Sequence, residues 1–232
     1  MRLFLFAVLE IGCLAVLARA GLVEEARRAR DAQDRAGLEA AAAQAAAAAQ
    51  AEPQNIRLQY ESALIYSYLA EVAMEIRDQA GARKAAEAGI PRAEKAVNGD
   101  GRVSEYHRLL GALYGQAIPG NLSAALKYGR KSMDELDRAI ALDPKNPEAF
   151  LSRGVGKYYI PPMFGGGAQA ALEDIRKAIE LDPKLDQAYL WEGIVLRKLN
   201  RSREAREALN QAVKLNPRQV WAKQQLEKTP PR

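Results

Sequence analysis

DQAYLWEGIVLRKLNRSREAREALNQAVKLNP, residues 186 to 217, decides the fold. It reads as two helices with an aromatic residue, Tyr189, near the start of the first, Gly193 one turn later, Ala205 and Ala212 in the second, and Pro217 closing the unit. These residue types suit one job. The aromatic ring wedges between the helices, and Gly or Ala at the crossing lets the second helix approach closely. Replacing Ala205 or Ala212 by Leu is therefore expected to overpack the crossing, at a cost of about 1–3 kcal/mol.

The same arrangement recurs upstream. From Pro183 to Pro217 is 34 residues, and from Pro144 to Pro183 is 39. The longer unit opens PEAFLSRGVGKYY, with Phe150 and Gly154 in the first helix and Ala171 and Ala178 in the second. Both halves keep their spacing, so the extra residues fall between them, at IPPMFGGG, residues 160 to 167. Its two prolines cannot continue a helix, and its glycines tolerate unusual backbone angles. A third unit begins near Ser104 with EYHRLLGALYG, where His107, Leu110, Gly111 and Tyr114 take the corresponding places, and Ser132 and Ala139 take the small-residue places of a second helix expected from about Ser123 to Leu142.

A period of 34 residues with small and bulky types at these places resembles the tetratricopeptide repeat, a helix pair that stacks into a solenoid. The likeness is strong over 147–217 and looser before it. QNIRLQYESALIYSYLAEVAMEIRDQ reads as a long helix with Tyr60, Leu64, Tyr68 and Val72 on one stripe. Its partner, about Ala80 to Val97, contains Gly89-Ile90-Pro91, which should kink or break it. Residues 22 to 55 are so alanine-rich that propensity argues helix. Pro53 places Ala41 and Ala48 at the small positions, which makes a degenerate first repeat. After Pro217, VWAKQQLEK would cover the exposed face of the last repeat, and the tail TPPR is expected to fray. The expectation is an all-α, right-handed solenoid of about five helix pairs with a C-terminal capping helix. Its divisions are 1–20 as a leader or anchor, 21–103 as degenerate repeats, 104–219 as repeats, and 220–232 as cap and tail.

Composition agrees. The 232 residues are 48% hydrophobic but only 6% aromatic, with alanine supplying much of the apolar fraction, which suits close-packed helices and argues against strands. The net charge is +5, yet 34 basic and 29 acidic residues are interspersed, so nucleic acid is not an expected partner. One Cys and one His exclude a disulfide framework and a Cys/His zinc site within the chain, and no cofactor or metal is expected.

MRLFLFAVLEIGCLAVLARA, residues 1 to 20, has a basic start, an apolar run from Leu3 to Ala18 broken by Glu10, and a small-x-small end, the three parts of a secretory signal peptide. The alternatives are an uncleaved anchor, for which the run is short, and an amphipathic first helix. Export to the periplasm is the leading expectation, with a membrane-anchored or cytoplasmic chain as the alternatives. Membrane contact is then expected only through this segment.

In the family resembled here, partners usually lie along the concave face of the first helices. Carrying those positions over implies a groove lined by Tyr60, Tyr68, Tyr158, Tyr159 and Trp191 and edged by Arg197 and Lys198. Tyr, Trp and Arg dominate interface energetics. The competing reading of such a stripe is packing against a neighbouring helix. The functional expectation is a noncatalytic scaffold for a protein or peptide. A second reading, resting mainly on Met163 to Gly167 and the export signal, resembles the repeat-containing T-components of TRAP-type transporters, which would make the chain a ligand carrier. Partner identity and oligomeric state are not fixed by the sequence.

Arg153 and Glu192 both stand where a buried Leu is usual, and the expectation is that they pair across adjacent repeats. FGGGA before a helix lacks the Lys-Ser/Thr of a P-loop, so residues 165–167 read as a connector, with Met163 and Phe164 as a conceivable lid over the groove. His107 sits at a packing position with no accompanying nucleophile motif, and no catalytic constellation is evident.

Overall fold

The structure, a computed structural model, describes residues 21–230, and the leader expected over residues 1–20 lies outside them. Eleven α-helices are described and no strand is found among these residues. They are α1 (21–31), α2 (Arg35–Ala51), α3 (Ile56–Glu75), α4 (Gln79–Gly99), α5 (Ser104–Gln116), α6 (Leu122–Leu142), α7 (Pro147–Tyr159), α8 (Ala168–Leu181), α9 (Asp186–Lys198), α10 (Ser202–Leu215) and α11 (Val220–Glu227). α3, α5, α7 and α9 each pack on the even-numbered helix that follows, and from α3 to α11 successive odd-numbered helices touch side by side. This is the stacked helix-pair solenoid the spacing predicts, with α11 closing the end against α9 and α10. No described helix is long and apolar enough to cross a membrane.

The helix boundaries follow from local chemistry. Side chains of Asp34, Asn55, Asp78, Asn121 and Asn146 accept backbone N–H groups at the starts of α2, α3, α4, α6 and α7, satisfying donors that the helix cannot. The ends of α1, α3 and α9 stop in the same way. Gln33, Arg77 and Asn200 adopt positive φ, at 53°, 65° and 60°. Beyond each, the next N–H reaches back to Ala29, Ala73 or Leu196, at 2.8–2.9 Å, in the double-bonded helix stop that usually employs glycine.

Within each pair, the approach is as close as the small residues allow. A side chain at Gly193 would collide with Leu209 and stand 3.0 Å from the Ala205 carbonyl, and one at Gly154 would meet Ile175 at 2.8 Å. Ala205 and Ala212 are fully buried. The overpacking expected of Ala205→Leu, about 1–3 kcal/mol, should appear as a lower urea midpoint with an unchanged slope.

Several details differ from the expectation. Pro91 lies inside α4 without ending it. Gly89 lets the helix press on Leu113 and Tyr66 there, and Arg92 returns its guanidinium to the Ala88 carbonyl at 2.6 Å while lying 5.1 Å from the Tyr66 ring. Arg153 and Glu192 do not pair. Arg153 makes two 2.8 Å bonds to Asp174 on α8 and a third to Asp137 on α6, whereas Glu192 accepts from Arg176 on α8. Both long side chains reach sideways to even-numbered helices instead of to each other. The tail is also not free at its start. Thr229 is buried, and its backbone carbonyl accepts from Arg206 at 2.7 Å.

Candidate binding groove

The face of the odd-numbered helices carries two different surfaces. Towards the C-terminal end, Tyr158 and Tyr159 at the end of α7 meet Trp191 from the middle of α9, at ring separations of 5.9 and 6.3 Å. Trp221, at the start of α11, continues the line 5.5 Å beyond Trp191. All three contacts are edge-to-face, as ring quadrupoles prefer. The rings are partly buried, and Tyr159 keeps 57% of its surface exposed. Desolvation and then the Tyr158 phenol push the Tyr159 hydroxyl up to about 12, so it is a hydrogen-bond donor at neutral pH. Sequence reasoning missed Trp221, because it lies on the cap and the repeat register stops before it.

Arg197 and Lys198 separate here. Arg197 is committed to the cap, bonding Gln225 Oε1 at 2.6 Å and the Gln225 carbonyl and Thr229 hydroxyl at 3.3 Å. Lys198 is exposed and makes no salt bridge among the described residues.

Tyr60 and Tyr68 are not part of this cluster. Tyr68 is buried under Arg30, which stands 4.8 Å from its ring. Burial raises its hydroxyl above the usual phenol value despite Arg30 and Arg27. The Tyr60 hydroxyl donates to Glu105 at 2.9 Å, and burial followed by that carboxylate raises it strongly. Glu105 is in turn held twice by Arg108, at 2.6 and 2.7 Å. The inner face of the first three pairs is thus occupied by the chain's own polar side chains.

The same region joins the two ends of the chain. Asn216, after α10, donates to Asp31 at the end of α1 and to Asp186, both at 2.9 Å. Gln224 on α11 donates to Gln33 at 2.9 Å, and Gln33 donates to Glu75 at 2.7 Å. Burial raises the carboxyls of Glu71, Glu75 and Glu148 around this junction, against the pull of Arg30 and Arg108 on Glu71 and Glu148 and of Gln33 and Arg30 on Glu75. No repeat-level signal in the sequence points to these ties, since they link residues 185 and 191 positions apart.

His107 is buried, with Nδ1 2.6 Å from Glu135 Oε2 and Nε2 3.0 Å from the Gly101 carbonyl, so both ring nitrogens are spent on packing the third pair. Met163 and Phe164 point into solvent. The glycine loop behind them is a bonded turn. Gly165 and Gly167 have φ of 82° and 94°, and the Gly167 N–H donates to the Lys157 carbonyl at 2.8 Å.

A family model described as tetratricopeptide repeat matches residues 186–219, the stretch that supplies Trp191 and the closing Asn216. Residues 186–219 form a tetratricopeptide repeat. Its fold is similar to that of a thermophilic tetratricopeptide-repeat protein from Thermus thermophilus, at 15% identity and a TM-score of 0.59 over 83% of this chain and 90% of that one. MamA aligns at 21% identity over 79% of this chain and 91% of its own, with a TM-score of 0.42. YrrB, described as a tetratricopeptide-repeat protein with an unusual peptide-binding site, aligns at 19% identity over 81% and 82%, also with a TM-score of 0.42. The fold likeness rests on the first of these. A search of curated protein sequences returns no match.

Proposed function

We propose that this protein is a noncatalytic tetratricopeptide-repeat scaffold that binds a protein or peptide in the bacterial cell envelope. The observation that carries the binding role is the line of Tyr158, Tyr159, Trp191 and Trp221 across two repeats and the cap. Rigid aromatic rings with one face open are what an interface anchor requires: large contact area, few rotatable bonds and a polar tip. The location is argued from residues 1–20 alone, on the signal-peptide pattern.

A ligand carrier needs an enclosed apolar cavity of roughly 300–1,000 Å³. The apolar pocket lined by Leu22, Val23, Ala45, Ala48, Leu58, Glu61 and Ile65 offers about 20 Å³, room for a water. That pocket is too small for a ligand, the hollow of about 620 Å³ at Asn200, Arg201 and Glu204 is lined by polar residues, and the aromatic line supports the scaffold.

Both tryptophans of the chain stand in the groove, so selectively excited tryptophan emission reports on it. A partner recovered from the host's envelope fraction should shift that emission on titration. Trp191→Ala should weaken its binding by about 2 kcal/mol or more, the usual loss at an anchor residue. Trp191 also packs against two core clusters, so Tyr159→Ala, at an exposed position, gives the independent measurement. Unchanged affinity in both variants would remove the groove from the binding role.

A further inference from the structure

Six large apolar side chains are exposed among the described residues: Ile76, Leu122, Leu126, Tyr159, Met163 and Phe164. Their places in the fold are not scattered. Helices alternate in direction through a stack of pairs, so every turn from an odd-numbered to the next even-numbered helix lies on one rim. Ile76 follows α3, Leu122 and Leu126 occupy the first two turns of α6, Tyr159 ends α7, and Met163 and Phe164 form the tip of the α7–α8 connection. All six belong to that rim, and the opposite rim carries none of them. α6 has 21 residues against 14 in α8 and α10, so its start, with Leu122 and Leu126, overhangs by about 10 Å at 1.5 Å per residue.

Many of the rim's carboxylates are engaged: Asp34 and Asp78 cap α2 and α4, Glu39 and Asp78 hold Arg35, and Glu204 and Glu207 hold Arg201 and Arg203, while Glu87 and Glu173 are exposed. Arg77, Lys127, Lys131 and Lys198 make no salt bridge among the described residues, and all four are exposed. From residue 109 to residue 133 the chain carries Lys127, Arg130 and Lys131 and no acidic residue.

We infer that this rim docks on the surface of an anionic lipid bilayer. Leu126, Met163 and Phe164 are 82%, 82% and 71% exposed, so they project as separate knobs instead of lining a groove. A rigid flat partner cannot enclose knobs on a helix overhang and on a loop tip at once. A fluid interface can, and cations beside the knobs then meet lipid phosphates. Contact is peripheral, since no described helix could span the membrane. The inference goes beyond the scaffold reading, and its test touches none of the residues that test the groove.

The test is sedimentation of the full chain with phosphatidylcholine vesicles with and without phosphatidylglycerol, comparing the parent with Leu126→Ser/Met163→Ser/Phe164→Ser. These are surface positions, so the triple variant should keep its circular dichroism and melting. The parent should prefer the anionic vesicles and lose binding with added salt, and the triple variant should bind roughly tenfold more weakly. Phe164→Trp in the full chain should add emission that brominated lipid quenches. Equal binding by parent and triple variant, as the apolar run of residues 3–18 alone would give, overturns the inference, as does unquenched emission. A parent that is dimeric without lipid and a triple variant that is monomeric would assign the rim to a second copy instead, and overturn it as well.

Discussion

Asp174→Ala is expected to cost about 3–5 kcal/mol at pH 7, the loss usual when one member of a buried ionic cluster is removed. Its carboxylate, 8% exposed, receives two bonds from Arg153 and one from Lys157, all at 2.8 Å. Without it, those two cations face each other between α7 and α8, where water reaches them only in part. Arg153 retains Asp137, which limits the damage to the lower end of that range. Burial by itself would raise the Asp174 carboxyl, but the bonds to Arg153 and Lys157 more than offset it and leave it below 3.8. Because the folded value lies below the unfolded one, the cluster stabilises the protein above about pH 4 and loses that contribution as pH falls through the lower folded value. Urea unfolding at pH 7 and in acid reads both effects. A loss under 1 kcal/mol at pH 7 would show that Asp174 is no keystone.

Glu75→Gln is expected to act in the opposite pH window. Burial, with some help from Glu71, pushes the Glu75 carboxyl up to about 8 against the Gln33 hydrogen bond. The folded protein therefore holds a proton that the unfolded chain, near 4.5, has already released. The stabilisation is complete below about pH 4.5 and disappears as pH rises through about 8. The parent should lose on the order of a few kcal/mol across that interval. The glutamine variant keeps the shape and a partner for Gln33 without this ionisation, so its stability should fall less steeply than the parent's from pH 5 to about 8.5, Glu71 and Glu148 still titrating, and exceed the parent's at the alkaline end. Parallel pH profiles for the two proteins would refute the assignment.

What the sequence disclosed tracks what is local. Gly154, Gly193, Ala205 and Ala212 announce the helix crossings because each must admit a neighbour on the other helix of its own repeat. The aromatic line was legible as far as Trp191, since Tyr158, Tyr159 and Trp191 share one register. Its last member, Trp221, falls outside the period. The helix stops at Gln33, Arg77 and Asn200 were invisible because residues other than glycine adopt the left-handed backbone there. Arg153 and Glu192 were rightly noted as charges at a packing position, yet spacing along one helix says nothing about which face of which neighbour a long side chain will reach. Tyr60 and Tyr68 look like groove residues until Arg30 and Glu105, from other helices, are laid on them.

The hydrogen bonds from Asn216 to Asp31 and from Gln224 to Gln33 change how such a stack should come apart. A linear array of repeats frays from either end independently, each unit answering only to its neighbour. Here the first and last units share a boundary across more than 180 residues of chain, so neither end can loosen without releasing the other. Folding must defer that closure until every intervening pair is in place, because the entropy of so long a loop is recovered only when the rest is already fixed. Amide protons at the ends of α1 and α10 should then exchange together, as one late-forming and early-opening unit.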